Sequence, residues 1–170
     1  MKHLVLVRHA KSSWKDEEIE DHERPLSKRG ERDAPFMAKI FRDKKLRTDL
    51  IISSTAVRAL ATAGEFARAL DIKKKKILRV SEMYLADAED ILDYIQQLDD
   101  DYKSVMIFGH NPGLSILAND LTDGSIGDLP TCAVVAIDFD TSTWKEARKG
   151  TGKVRFFEFP GKYFNEAGDS

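Results

Sequence analysis

The sequence lacks several features that would point to particular classes of protein. Cys132 is the single cysteine among 170 residues, so the chain cannot form an internal disulfide. We expect this thiol to lie in the core of a protein from a reducing compartment. No apolar run approaches the roughly 20 residues of a membrane span, and the four apolar residues at 4–7 are too few for a signal-peptide core. These absences predict a soluble, cytoplasmic protein that does not bind membranes.

An excess of one charge is also absent. The chain has 27 Lys and Arg residues against 29 Asp and Glu residues, for a net charge of −2. Such a balance provides no overall field that would attract nucleic acid. The longest basic run, residues 73–76, stands between a helical pattern and an apolar run, which is typical of a solvated turn. We therefore expect no nucleic-acid partner.

Motifs of several enzyme classes are missing as well. The sequence has no Walker phosphate loop, no dinucleotide-binding glycine pattern and no Gly-x-Ser-x-Gly elbow. It also lacks the His-Glu-x-x-His and paired-cysteine spacings of zinc sites. We therefore expect neither a metal nor a cofactor.

Short apolar runs alternate with segments of helical periodicity. The continuous runs are typical of strands that are buried on both faces of a parallel sheet, and they lie at 4–7, 50–52, 77–80, 105–108 and 134–137. A further apolar segment at 154–159 is joined to the last run through a glycine-containing stretch, which suggests an antiparallel pair. The pattern predicts a single α/β domain over residues 1–170 with a mainly parallel central sheet.

Two helix starts show sequence signals. Pro35 falls inside the first helical pattern, so that helix either kinks at Pro35 or begins later with Asp33 as its cap. The sequence leaves both possibilities open. Asp87, followed three residues later by Asp90, resembles a capping box for the third helix.

Unusual residues follow the predicted strands. In an open parallel sheet, ligands bind beyond the carboxyl ends of the strands. The residues that come after the predicted strands include Arg8, His9, Arg58, Glu82 and His110. Guanidinium groups match phosphate oxygens, and helix N-termini favour anions. A lone histidine or arginine here could be structural, but their occurrence together predicts a phosphate site.

Four segments in a fixed order resemble the histidine phosphatase superfamily, and specifically its small SixA-like phosphohistidine phosphatase branch. The segments are LVLVRHAKSSW (4–14), ERPLSKRG (23–30), SSTAVRALATA (53–63) and GHNPG (109–113). The resemblance extends from residue 2 to about residue 121. It implies a phosphoglycerate mutase-like fold, which is a three-layer α/β/α sandwich whose sheet has about six strands and one antiparallel strand near the C-terminus.

The resemblance also implies the roles of individual residues. His9 is the expected nucleophile that takes up the phosphoryl group, with its second ring nitrogen bonded to a backbone carbonyl, while Arg8, Arg58 and a protonated His110 hold the phosphate oxygens. Further candidates for phosphate or substrate binding are Lys11, Ser12, Arg24 and Asn111. The implied activity is metal-independent dephosphorylation through a covalent phosphohistidine.

The sequence departs from the superfamily pattern at Ala10, where glycine is usual. A methyl group there restricts positive φ, and we expect it to be tolerated. Many relatives also have a carboxylate proton donor near the end of the third strand. Glu82 stands at about that place, where it either donates a proton or caps a turn.

The connections beside the predicted site are short. Only 17 residues separate His9 from Ser27, and eight separate Glu82 from Ile91, so no large lid can form. An open site fits a phosphorylated protein, such as a histidine phosphotransfer domain, with Trp14 either touching it or packing the loop. A small phosphomonoester substrate and a noncatalytic phosphate-binding module remain the alternatives. The sequence does not indicate an oligomeric state.

Overall fold

A six-stranded sheet forms the centre of the molecule, for which a computed structural model describes residues 1–165. The strands are β1 (Lys2–Arg8), β2 (Leu50–Ser53), β3 (Leu78–Arg79), β4 (Ser104–Gly109), β5 (Val134–Phe139) and β6 (Gly152–Glu158). They lie in the order β3-β2-β4-β1-β5-β6. β5 runs antiparallel to both of its neighbours, and the other pairs are parallel. The predicted mainly parallel sheet with one antiparallel strand is confirmed.

Two helices cover each face of the sheet. α1 (Lys28–Asp43) and α2 (Val57–Ala69) pack on one face, and α3 (Ala88–Gln96) and α4 (Gly113–Leu121) pack on the other. Alternate residues of β1 therefore enter different cores, since side chains of a strand point to opposite faces. Val5 contributes to the core beneath α1 and α2, whereas Leu4 contributes to the opposite core, and both are fully buried. This arrangement is the three-layer sandwich that the resemblance implies.

The third strand differs from its prediction. The apolar run at 77–80 suggested burial on both faces, yet β3 has only two residues and Leu78 is 43% exposed. β3 pairs with β2 alone at the edge of the sheet, so helices do not enclose it as they enclose the central strands. Only the flanking Ile77 and Val80 are buried.

The helix starts settle the open question about Pro35. The side chain of Ser27 accepts a hydrogen bond from the amide of Gly30, so α1 begins well before Pro35 and contains it. Asp33 is a buried residue of this helix and not its cap. The predicted cap at Asp87 is confirmed, because its carboxylate accepts from the Asp90 amide at 2.9 Å.

Cys132 is fully buried, as expected, and burial raises the pKa of its thiol well above the ordinary value.

Across residues 1–165, no helix combines the length and the apolar character that a bilayer crossing requires.

Candidate active site

The register of the parallel strands brings the candidate residues together at the carboxyl ends of the strands. Arg8 at the end of β1 lies opposite Gly109 at the end of β4. His9 and His110, which follow these residues, have ring centroids 5.2 Å apart. Two histidines separated by a hundred residues of chain therefore meet because their strands are neighbours.

A cavity of about 320 Å³ opens at this edge. Eight of the nine predicted site residues line it, namely Arg8, His9, Lys11, Ser12, Arg24, Arg58, His110 and Asn111. Glu82 lies outside. Within residues 1–165, no group of three or more His, Cys, Asp or Glu side chains is arranged to hold a metal ion.

His9 presents one free ring nitrogen to this cavity. Its Nδ1 lies 2.7 Å from the carbonyl oxygen of Ala10, and because a carbonyl only accepts, Nδ1 must hold the proton. Burial lowers the pKa of His9 to about 3, and the positive charges of Arg58 and Arg8 act in the same direction. The imidazole is therefore neutral at pH 7, and its Nε2 has an available lone pair.

His110 is also neutral in the unliganded protein, so the protonated form expected to hold phosphate oxygens must arise when an anion binds. Burial, followed by the charge of Arg58, lowers its pKa to about 4. Its Nε2 lies 2.7 Å from Oγ of Ser54, and its buried Nδ1 has no hydrogen-bond partner within residues 1–165. A phosphate anion in the cavity would raise the pKa of His110 because an opposite charge favours the protonated form.

The two arginines carry further unused donors. Arg58 is only 3% exposed, and its terminal nitrogens donate to the backbone oxygen (2.6 Å) and carboxylate (2.9 Å) of Asp21. Arg8 donates to the carbonyl of Leu129 at 2.9 Å. The buried Nε of each arginine has no partner in the described chain. Leaving a buried donor unpaired costs about 1–3 kcal/mol, and phosphoryl oxygens in the cavity are suitable acceptors.

Asp21 is a site residue that the sequence does not reveal. Besides Arg58, its carboxylate accepts from the hydroxyl of Tyr84 at 2.5 Å and from Nε of Arg24 at 3.1 Å. The hydroxyl of Tyr84, followed by the two guanidinium groups, holds the pKa of this carboxyl well below its usual range. Asp21 is thus an ionised acceptor that fixes Arg58. It stands among five other carboxylates at 16–23, and nothing in the sequence distinguishes it from them.

We expect Asp21→Ala to lower kcat/KM about 10- to 100-fold, because Arg58 loses the acceptor that orients it. Asp21→Asn should recover part of this loss, since the amide oxygen can still accept one hydrogen bond. Glu20→Ala is the matched control, because Glu20 is exposed beside the same turn and its side chain makes no capping bond. Equal steady-state kinetics for Asp21→Ala and Glu20→Ala would contradict this role.

Thr62 joins the nucleophile loop to α2. Its hydroxyl donates to the carbonyl of Arg58 at 2.8 Å and accepts from the amide of Ala10 at 2.9 Å. Ala10 is fully buried in the core beneath α1 and α2, and its backbone does not adopt positive φ. The methyl group in place of the usual glycine therefore fits without strain, as predicted.

Glu82 makes no contact with the phosphate site. It lies in an exposed turn at Ser81–Met83, where its carboxylate accepts from the hydroxyl of Ser81 at 3.1 Å. The geometry thus gives no support to Glu82 as a proton donor.

The remaining candidates that line the cavity are held by contacts of their own. Arg24 donates to Oγ of Ser12 at 2.6 Å, and its guanidinium stacks 3.5 Å from the ring centroid of Trp14. Trp14 is nevertheless 71% exposed, so it packs on the loop and also faces solvent. Asn111 donates to the carbonyl of Leu129 at 3.0 Å.

The lowered pKa values of His9 and His110 predict a pH-dependent stability. Below pH 6.5 the unfolded chain binds protons at both rings while the folded chain does not, so stability falls as the pH decreases. From pH 7 to 5 we expect a loss on the order of 2 kcal/mol per histidine. Urea unfolding in phosphate-free buffer measures it. The His9→Asn/His110→Asn variant should lose markedly less, and an unchanged loss would contradict the prediction.

A neutral imidazole lies beside two hydrogen-bonded guanidinium groups at the carboxyl ends of the parallel strands, an arrangement that suits an anionic phosphoryl group. Residues 4–113 match the model of the histidine phosphatase superfamily (branch 1), and the chain belongs to this superfamily. The family and the solved structures below support phosphatase activity.

Several known proteins are similar to this chain. An uncharacterised chloroplastic protein of Arabidopsis thaliana is 33% identical over 85% of this chain and 69% of its own length. An uncharacterised protein of Mycobacterium tuberculosis is 31% identical over 91% of this chain and 99% of its own. The crystal structure of SixA from Agrobacterium tumefaciens, assigned as a phosphohistidine phosphatase, superposes with a TM-score of 0.79 at 29% identity, covering 94% of this chain and 99% of that one.

A phosphoserine phosphatase of Entamoeba histolytica has the same fold, with a TM-score of 0.64 at 16% identity over 92% of this chain and 96% of that one. The fold is therefore shared by enzymes that are named for different substrates.

Proposed function

We propose that this protein is a metal-independent phosphatase that removes the phosphoryl group from phosphohistidine on another protein, in the cytoplasm, as part of phosphotransfer signalling. The observation that supports this most directly is the hydrogen bond from Nδ1 of His9 to Ala10, which leaves Nε2 free beside Arg8 and Arg58.

In the first step, Nε2 of His9 attacks phosphorus in line with the leaving nitrogen. A P–N bond forms to His9 as the P–N bond of the substrate breaks, and the leaving ring takes the electron pair of that bond. It departs as neutral imidazole because its other nitrogen already holds a proton. Arg8, Arg58 and His110 stabilise the charge on the equatorial oxygens.

In the second step, water attacks the phosphorylated His9 and releases inorganic phosphate. The ring of His9 again leaves as neutral imidazole, because the carbonyl of Ala10 has kept the proton on Nδ1 throughout. Two successive displacements replace one difficult hydrolysis. Because both leaving groups are imidazoles, the reaction needs no strong general acid, which fits the exposed position of Glu82.

A small-molecule phosphomonoesterase is the second candidate function. It is favoured by the phosphoserine phosphatase that shares the fold. An alkoxide is a much poorer leaving group than imidazole, so this reaction would need a proton donor. Among the residues that line the cavity, no carboxylate is present to supply that proton.

An activity panel tests the proposal. Purified protein is given a phosphohistidine-bearing phosphotransfer domain, sugar phosphates and nucleotide phosphates, each with and without EDTA. We expect efficient, EDTA-insensitive release of phosphate from phosphohistidine and little from the esters. Efficient ester hydrolysis with an untouched phosphoprotein would favour the second candidate, and binding without any hydrolysis would indicate a noncatalytic module.

A further inference from the structure

Two large apolar side chains are exposed where the phosphate cavity opens. Trp14 is 71% exposed and Leu85 is 56% exposed, and both line the cavity that contains His9. They come from different segments, one after β1 and one after β3. The rest of that cavity is lined by charged and polar side chains. Binding of a phosphoryl group does not by itself require two exposed apolar side chains, so they need another explanation.

Leu85 holds its exposed position at an energetic cost. Its φ is +52°, in the left-handed region that costs an L-residue about 1–2 kcal/mol and that glycine or asparagine would adopt more easily. A strained, exposed apolar residue at the edge of a reaction site is typical of a functional constraint.

The segment around Leu85 is fixed on both sides. Tyr84 donates its hydroxyl to Asp21, and the carbonyl of Ala86 lies 2.1 Å from where a Cβ on Gly113 would be. Glycine at the start of α4 is therefore required for this close approach. Leu85 is presented from a packed segment, which lowers the entropic cost of binding through it.

Trp14 is held in a similar way. The guanidinium of Arg24 stacks 3.5 Å from the centroid of its ring, and Arg24 itself is bonded to Ser12 and Asp21. The ring face opposite this stack is available to a partner, because the side chain is largely exposed. Pre-oriented tryptophan side chains contribute strongly to protein–protein contacts.

We propose that Trp14 and Leu85 form an apolar docking surface that selects a protein substrate by the apolar side chains around its phosphorylated residue. This inference rests on the proposed function. A sugar phosphate would leave both side chains in water, and a nucleotide base could stack on Trp14 but has no apolar side chain to place on Leu85. A protein surface would cover both and gain the free energy of apolar burial. The occupant that the surface fits is thus a folded phosphoprotein with apolar residues beside its phosphohistidine.

The test compares two substrates with the same reacting bond. One is a phosphotransfer domain that bears phosphohistidine, and the other is free phosphohistidine, which has no surrounding surface. Leu85→Asn suits the left-handed backbone and removes the apolar side chain, and Trp14→Ala removes the ring. Each should lower the ratio of kcat/KM for the phosphoprotein to kcat/KM for free phosphohistidine about tenfold or more, because only the phosphoprotein can cover the apolar side chain that is removed.

Ile116→Ala is the matched control, because Ile116 is 49% exposed but does not line the cavity. This substitution should leave kcat/KM for both substrates unchanged. If the wild type dephosphorylates the domain and both variants retain full efficiency, or lose both substrates equally, the docking inference is wrong and the proposed function stands. If the wild type ignores both phosphohistidine substrates but hydrolyses esters, the proposed function fails, and the inference fails with it.

Discussion

His9→Ala should lower kcat/KM by roughly four orders of magnitude or more, because it removes the nitrogen that attacks phosphorus. The protein should remain folded, since His9 lies beyond the carboxyl end of β1 and the backbone amide of Ala10 still donates to the hydroxyl of Thr62. Steady-state phosphate release, measured beside circular dichroism and urea unfolding, separates lost chemistry from lost structure.

His3→Ala is the matched control for this variant. His3 lies near the other end of β1, where its Nδ1 is 2.6 Å from a carboxylate oxygen of Asp138. Its replacement should leave kcat/KM within about twofold of the wild type, as expected for a residue remote from the site. A His9→Ala enzyme that retains more than about a tenth of the wild-type rate would contradict a nucleophilic role for His9.

Arg58→Ala should lower kcat/KM by two to three orders of magnitude, or about 3–4 kcal/mol of transition-state stabilisation. The guanidinium supplies a positive charge, held by Asp21, beside the cavity in which negative charge would collect on the phosphoryl oxygens. Arg58→Lys keeps the charge but not the fork that contacts Asp21, so it should restore only part of the activity.

Arg68→Ala serves as the control, because Arg68 lies on the same helix and its side chain is 74% exposed. It should change neither the rate nor the stability by much. Equal catalytic efficiency in Arg58→Ala and Arg68→Ala would remove Arg58 from the mechanism. A small loss of folding stability is expected for Arg58→Ala alone, since Asp21 loses a buried partner.

The sheet and its functional edge could be predicted from the sequence because they depend on local signals. Continuous apolar runs predicted the central strands. The carboxyl ends of parallel strands lie on the same side of a sheet regardless of the loops that follow them. Arg8 ends β1, and His9 and His110 directly follow β1 and β4, so this topology alone brings them together. The edge strand β3 was predicted too long, because an apolar run does not report which strand lies outermost.

The remaining features of the site depend on contacts between distant segments. Asp21 meets Arg58 and Tyr84 across 37 and 63 residues of chain, and its local sequence is indistinguishable from a solvated acidic loop. The protonation state of His110 depends first on the burial of its ring, which a strand-end position does not reveal. The role of a side chain that acts through such long-range contacts can be recognised only from the folded structure.

Trapping of the covalent intermediate tests the central claim most directly. Enzyme mixed with a ³²P-labelled phosphohistidine domain is quenched within the first turnover, digested, and its peptides are separated. We predict an acid-labile, base-stable label on the peptide that contains His9 in the wild type, and none in His9→Ala. A label on the peptide that contains His110, or a wild type that turns over with no labelled enzyme at any time, would contradict it.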